Sequence, residues 1–124
     1  MTEAGRNGPS VSPEMAKLPP MTTYVFGLLR RAPDRPQIPE AEADAIQENH
    51  LAHLRRLRER GDLIVAGPFV DDGELRGILI FRNRSMEEVR ELTRSDPALQ
   101  TGRLVLELHE LYAPAGLRVV PPDE

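Results

Sequence analysis

Cysteine is absent from the 124-residue chain, which excludes disulfide scaffolds, thiolate metal sites and cysteine nucleophiles. Tryptophan is absent as well, and only two tyrosines and three phenylalanines are present, so a single-stranded nucleic acid would find few aromatic platforms to stack on. Basic charge is not in excess: 16 Lys and Arg against 20 Asp and Glu leave a formal charge of −4, a poor match to a phosphate backbone. Long hydrophobic runs are missing too. The longest nearly apolar stretch, Leu63 to Val70, falls far short of the roughly 20 residues a spanning helix needs. Neither nucleic acid nor membrane is therefore an expected partner. GxSxG, HExxH and a glycine-rich phosphate loop are likewise not found, which leaves activated-serine, zinc-hydrolase and nucleotide chemistry without support.

What is present fits one domain with loose ends. Residues 1–20, MTEAGRNGPSVSPEMAKLPP, carry six Gly and Pro residues and no hydrophobic period, and are expected to form a disordered arm. The arm has no apolar core of a secretory signal, so a cytoplasmic location is expected. Residues 21–114 form the predicted working domain, and residues 115–124 a loose tail.

Within the domain, Thr22 to Arg31 is β-branched and aromatic and predicts a strand. The prolines of the following loop, through Pro39, forbid helix and sheet. Glu40 to Arg60 predicts a helix whose acidic start and arginine-rich end complement the macrodipole, with Gly61 as its stop. Asp62 to Val70 and Leu75 to Arg82 predict a hairpin turning at Asp71-Asp72-Gly73-Glu74, with positive φ expected at the glycine. Ser85-Met86-Glu87-Glu88 is a capping box opening a second helix to Arg94. A short turn after Pro97 precedes a last strand, Arg103 to Tyr112. The order β-α-β-β-α-β predicts an α+β, ferredoxin-like fold: a four-stranded antiparallel sheet with two helices on one face. The first and last strands are apolar on both sides. Tyr24, Phe26 and Leu28 oppose Val25 and Leu29, and Leu104, Leu106 and Leu108 oppose Val105 and Leu111. Helices cover only one face, so a second copy is expected on the other, giving a homodimer with Val105 and Leu29 at its seam.

On a helical wheel of about 100° per residue with Ile46 at zero, Leu57 falls at about 20°, His50 at about 40°, Leu54 at about 80° and His53 at about −20°. Both histidines lie in the apolar stripe, where an imidazole needs partners for its ring nitrogens. A core histidine satisfied by a backbone carbonyl is one reading and a functional histidine the other. A metal site is not expected, because His50, His53 and His109 lack zinc-ligand spacing.

His50-Leu51-x-x-Leu54-x-x-Leu57-x-x-x-Gly61, then Val65-Ala66-Gly67-Pro68, then Asp96-Pro97 with Gly102 after it, resemble the YciI-like (YCII-related) family over nearly all of residues 21–114. The resemblance implies a dimeric ferredoxin-like α/β barrel. It also implies a His–Asp pair, with His50 at the family histidine and Asp96 at the aspartate of the DP motif, and it brings a chloromuconolactone dehalogenase among the relatives. The long Pro-rich loop from Arg31 to Pro39 and the N-terminal arm depart from the short family form.

The pair has a physical logic of its own. Proline at 97 biases Asp96 toward extended backbone. Its carboxylate either caps the next turn or meets an imidazole nitrogen of His50, fixing the tautomer of a general acid or base. His53, Gly67, Pro68, Arg30 and His109 are the expected substrate-binding residues. Each has a plainer reading: Gly67-Pro68 as a strand end, and Arg30 with Arg31 and Arg35 as a solvated charge run instead of a carboxylate clamp. Glu107 and His109 alternate on the second face of the last strand, at the expected dimer seam. Two functions follow. One is a small cofactor-free enzyme, a lyase, isomerase or dehalogenase-like catalyst moving a proton on a small anionic molecule. The other is a non-catalytic dimeric ligand-binding or regulatory module. An enclosed pocket reaching His50 and Asp96 favours the first, a filled one the second.

Overall fold

The computed structural model describes residues 19–122. Apart from Pro19 and Pro20, the expected N-terminal arm lies outside the described residues. The order is β1 (Met21–Arg31), α1 (Glu40–Glu59), β2 (Leu63–Pro68), β3 (Leu75–Phe81), α2 (Met86–Thr93), a short α3 (Pro97–Gln100) and β4 (Leu104–Pro114). The strands lie in the order β2-β3-β1-β4 with every neighbouring pair antiparallel. That is the ferredoxin-like βαββαβ arrangement the sequence pattern predicts. No described helix is long and apolar enough to cross a membrane.

The side-chain alternation of β1 sets the core. Val25 and Leu29 point to the helices and are buried with Leu79 and Phe81 of β3, Leu63 of β2, Leu57 of α1 and Val89 of α2. Full burial of each such side chain stabilises the fold by roughly 1.5–3 kcal/mol. Leu104, Leu106 and Leu108 of β4 pack against the same cluster. Tyr24, one residue before Val25, is buried on the opposite face, where its hydroxyl donates to the Pro114 carbonyl at 2.8 Å and accepts from the Leu117 N–H at 3.1 Å. The start of the C-terminal tail is thereby fastened to the sheet.

Gly61, at φ 87°, ends α1 in the left-handed region, the conformation for which glycine carries no Cβ penalty. Ser85 and Glu88 form the expected reciprocal capping box at 3.1 and 2.8 Å. Three local expectations fail. Strand β2 stops at Pro68 instead of Val70, with one further backbone bond beyond it, from the Phe69 N–H to the Arg76 carbonyl at 2.9 Å. Gly73 is not among the positive-φ glycines; the connection is a wide bend in which the Arg76 guanidinium donates to the Gly73 carbonyl. Leu29 is 5% exposed within the core, so of the two expected seam positions only Val105 lies on the uncovered face.

Gly77 shows how closely the hairpin strands approach. A Cβ there would stand 2.6 Å from the Gly67 carbonyl oxygen, whereas one on Gly67 would meet nothing within 4 Å.

Candidate active site

His50 and His53 are both buried on α1, but they serve different neighbours. The Nε2–H of His53 donates to the Leu92 carbonyl at 3.1 Å. That bond ties α1 to α2, and His53, at about −20° on the wheel, is not among the residues lining the cleft. His50 leans the other way. Its Nδ1 lies 2.8 and 2.9 Å from the two carboxylate oxygens of Asp96.

Asp96 reaches that position because the chain is locally constrained. Its backbone is extended (φ −66°, ψ 121°) ahead of Pro97, which opens α3. Its Oδ1 accepts from the Ala98 N–H at 2.9 Å, and its own N–H donates to the Thr93 carbonyl at 3.0 Å. The carboxylate is only 2% exposed. Helix cap and histidine partner, which read as alternatives in the sequence, are both served by Oδ1, with Oδ2 adding a second contact to the imidazole.

An ionised carboxylate only accepts hydrogen bonds, so the contact requires the proton on Nδ1 of His50. In the neutral imidazole, Nε2 then carries the lone pair. Nε2 makes no hydrogen bond among the described residues, and His50 lines a cleft of about 420 Å³ between α1 and the β2–β3 hairpin. Leu29, Leu54, Leu79 and Leu104 supply its apolar surface, and Gly67 and Pro68 lie on its rim. Both residues line the cleft while also ending the edge strand.

Arg30 and His109 do not join them. Both lie on the uncovered sheet face, and neither lines the cleft. There the Arg30 guanidinium donates to Glu107 at 2.8 Å and the His109 Nε2–H donates to the same carboxylate at 2.6 Å. These hydrogen bonds, that from His109 foremost, hold the Glu107 carboxyl below its ordinary value. Strand parity is the physical reason: residues 30 and 109 share a side with Phe26 and Leu28, opposite Leu29. Arg35 is exposed on its loop, and Arg31 meets Asp72 at 3.4 Å. No group of three or more His, Asp or Glu among the described residues is placed to hold a metal.

Three basic residues on the cleft wall, Arg55, Arg58 and Arg76, were not legible as site residues. The first two could have been read by extending the wheel past Leu54, since Arg58 falls at about 120° and Arg55 at about 180°. Arg76 had no such signal, because its place depends on the hairpin folding across α1.

The fold is a ferredoxin-like sheet with helices on one face; it carries a buried His50–Asp96 pair of which His50, and not Asp96, lines the cleft. The chain belongs to the YCII-related domain family, which matches residues 28–109. Among solved structures, it is similar to the 5-chloro-2-hydroxyhydroquinone dehydrochlorinase of Burkholderia phenoliruptrix AC1100 in complex with 2,5-dihydroxybenzoquinone, at 21% identity and a TM-score of 0.42, over 67% of this chain and 90% of that one. It is also similar to the de novo designed protein Ferredog-Diesel, at 19% identity and a TM-score of 0.46, over 86% of this chain and 98% of the other. No curated protein matches the chain.

Proposed function

We propose that the protein is a small acid–base enzyme in which His50 moves a proton at Nε2 and Asp96 orients it through Nδ1. One observation carries the reading: Nδ1 is engaged by a buried carboxylate while Nε2 has no hydrogen-bond partner among the described residues and His50 lines a cleft large enough for a small organic molecule. In the reaction class this favours, Nε2 takes a proton from a carbon activated by a neighbouring carbonyl. The imidazolium so formed has both nitrogens protonated and is stabilised by Asp96. The electron pair of the broken C–H bond then either accepts the proton at a second carbon, an isomerisation, or forms a double bond as a leaving group departs with its own pair, an elimination.

The test is exchange of carbon-bound hydrogen in D2O, followed by NMR over a panel of small lactones and carboxylic acids. His50→Ala should lower exchange by about 10²–10⁴-fold with the fold intact, the usual contribution of a positioned acid–base group. Binding without exchange in the wild-type protein, or exchange untouched by His50→Ala, would overturn the reading in favour of a ligand-binding module.

A second copy of the chain belongs to the same proposal. Phe26, Leu28, Ile78 and Ile80 form a continuous half-buried apolar surface on the face without helices, edged by Val105 at 46% and Leu111 at 36% exposure. An antiparallel sheet of this kind wants that face covered, and an identical face is apolar to the same extent and bears the same Arg30–Glu107–His109 cluster for reciprocal pairing.

A further inference from the structure

We infer that the cleft is built for a monocarboxylate with an apolar body, its charge held by Arg55 and Arg58 of α1 and Arg76 of β3. The inference deepens the acid–base reading and rests on it only for which end of the ligand faces His50. All charged residues on the wall are cationic, and neither Asp nor Glu lines it. The arginines come from two elements that meet only in the folded chain. Along α1, Arg55 and Arg58 stand roughly 7 and 12 Å beyond His50 at about 1.5 Å per residue. That spacing leaves room for a carbon skeleton between a carboxylate at the arginines and a reacting atom at Nε2.

Complementing the helix dipole does not account for this placement. Arg56 and Arg60 sit in the same last turns and do not line the cleft, and Arg76 belongs to no helix. Arg55 and Arg58 form no ion pair among the described residues, whose carboxylates therefore leave their guanidinium groups open to a ligand. Arg76 is the extra residue at the register shift, where Leu29 pairs with Gly77 but Arg30 pairs with Leu75. Its guanidinium lies 3.8 Å from Asp72, the carboxylate that also meets Arg31 from the helix-covered side. The shift therefore brings Arg76 toward the cleft instead of the uncovered face.

The apolar surface sets the other half of the specificity. Leu29, Leu54, Leu79 and Leu104 would cover a ring or short chain and offer no hydrogen bond to it. The guanidinium fork fits carboxylate and phosphate alike. A carboxylate is favoured because the arginines flank the C-terminal half of α1, where the dipole's negative end penalises a second negative charge, and because no row of backbone N–H groups is present to cradle a phosphate.

Benzoate and hexanoate are the probes, titrated against the full chain by NMR chemical shift, with benzamide and phenyl phosphate as controls. Both carboxylates should bind in the millimolar range or tighter and benzamide at least about tenfold more weakly. Arg55→Gln and Arg58→Gln should each weaken carboxylate binding about tenfold, as expected for loss of one charge-assisted bond. The two readings fail separately: loss of carboxylate binding with exchange in D2O retained would overturn this inference alone, and binding retained without exchange would overturn the acid–base reading alone. Four results would overturn the inference: neither carboxylate binding at about 10 mM, benzamide equalling benzoate, phenyl phosphate binding tighter than benzoate, or a doubly substituted Arg55→Gln, Arg58→Gln protein retaining wild-type affinity.

Discussion

Replacing Asp96 by alanine removes two supports at once. The Ala98 N–H loses its capping acceptor, a loss typically costing about 1 kcal/mol. The His50 Nδ1–H, held at 2.8 Å in a residue only 5% exposed, is left buried without an acceptor, at a cost of about 1–3 kcal/mol. Together these predict a destabilisation of roughly 2–4 kcal/mol, or a fall in Tm of roughly 8–25 °C for a domain of this size. Asp96→Asn is the informative companion. Asparagine is among the best capping residues, and its amide oxygen takes the place of Oδ1, which in the native protein already faces both the Ala98 N–H and His50. Its cost should be about 1 kcal/mol or less. Thermal melts and urea titrations with an unchanged slope would read both variants. An Asp96→Ala protein melting within about 2 °C of wild type would refute the reasoning, as would an asparagine variant as damaged as the alanine one, because then neither cap nor imidazole contact contributes as described.

Gly77→Ala should destabilise the protein by about 1–3 kcal/mol, since the new methyl must push the edge strand off, whereas Gly67→Ala should leave its melting temperature near wild type; equal effects would contradict the close approach read at Gly77. Val105→Glu should convert a dimer to a folded monomer by light scattering, and an unchanged particle mass would remove the second copy from that face. Glu107, with its pKa held below the ordinary 4.5, contributes stability that is fully present above that value and is lost as pH falls through the lower folded value. Glu107→Gln should therefore flatten the fall in Tm on acidification from about pH 6 to pH 3, and a fall as steep as wild type would show that the Arg30–Glu107–His109 contacts are not coupled to folding.

Much of this protein was decided locally. Gly61 and the Ser85 capping box ended and began helices where the chain says they should, because caps and left-handed glycines act over four residues. The period-2 alternation of β1 assigned Val25 and Tyr24 to opposite faces correctly, and the wheel of α1 put both histidines in the buried stripe. Which neighbour each histidine meets was beyond the wheel. His50 and Asp96 lie 46 residues apart, and their approach depends on how the α2–α3 connection packs against α1. That spacing became readable only as one part of a family pattern. Leu29 fails as a seam residue for a related reason: alternation says which residues share a face but not which face the helices cover. The arginine wall of the cleft is tertiary in the strictest sense. Arg55 and Arg58 face Arg76 only because the β2–β3 hairpin folds back beneath α1 and slips by one residue at Arg76, and no local rule records where such a slip will fall.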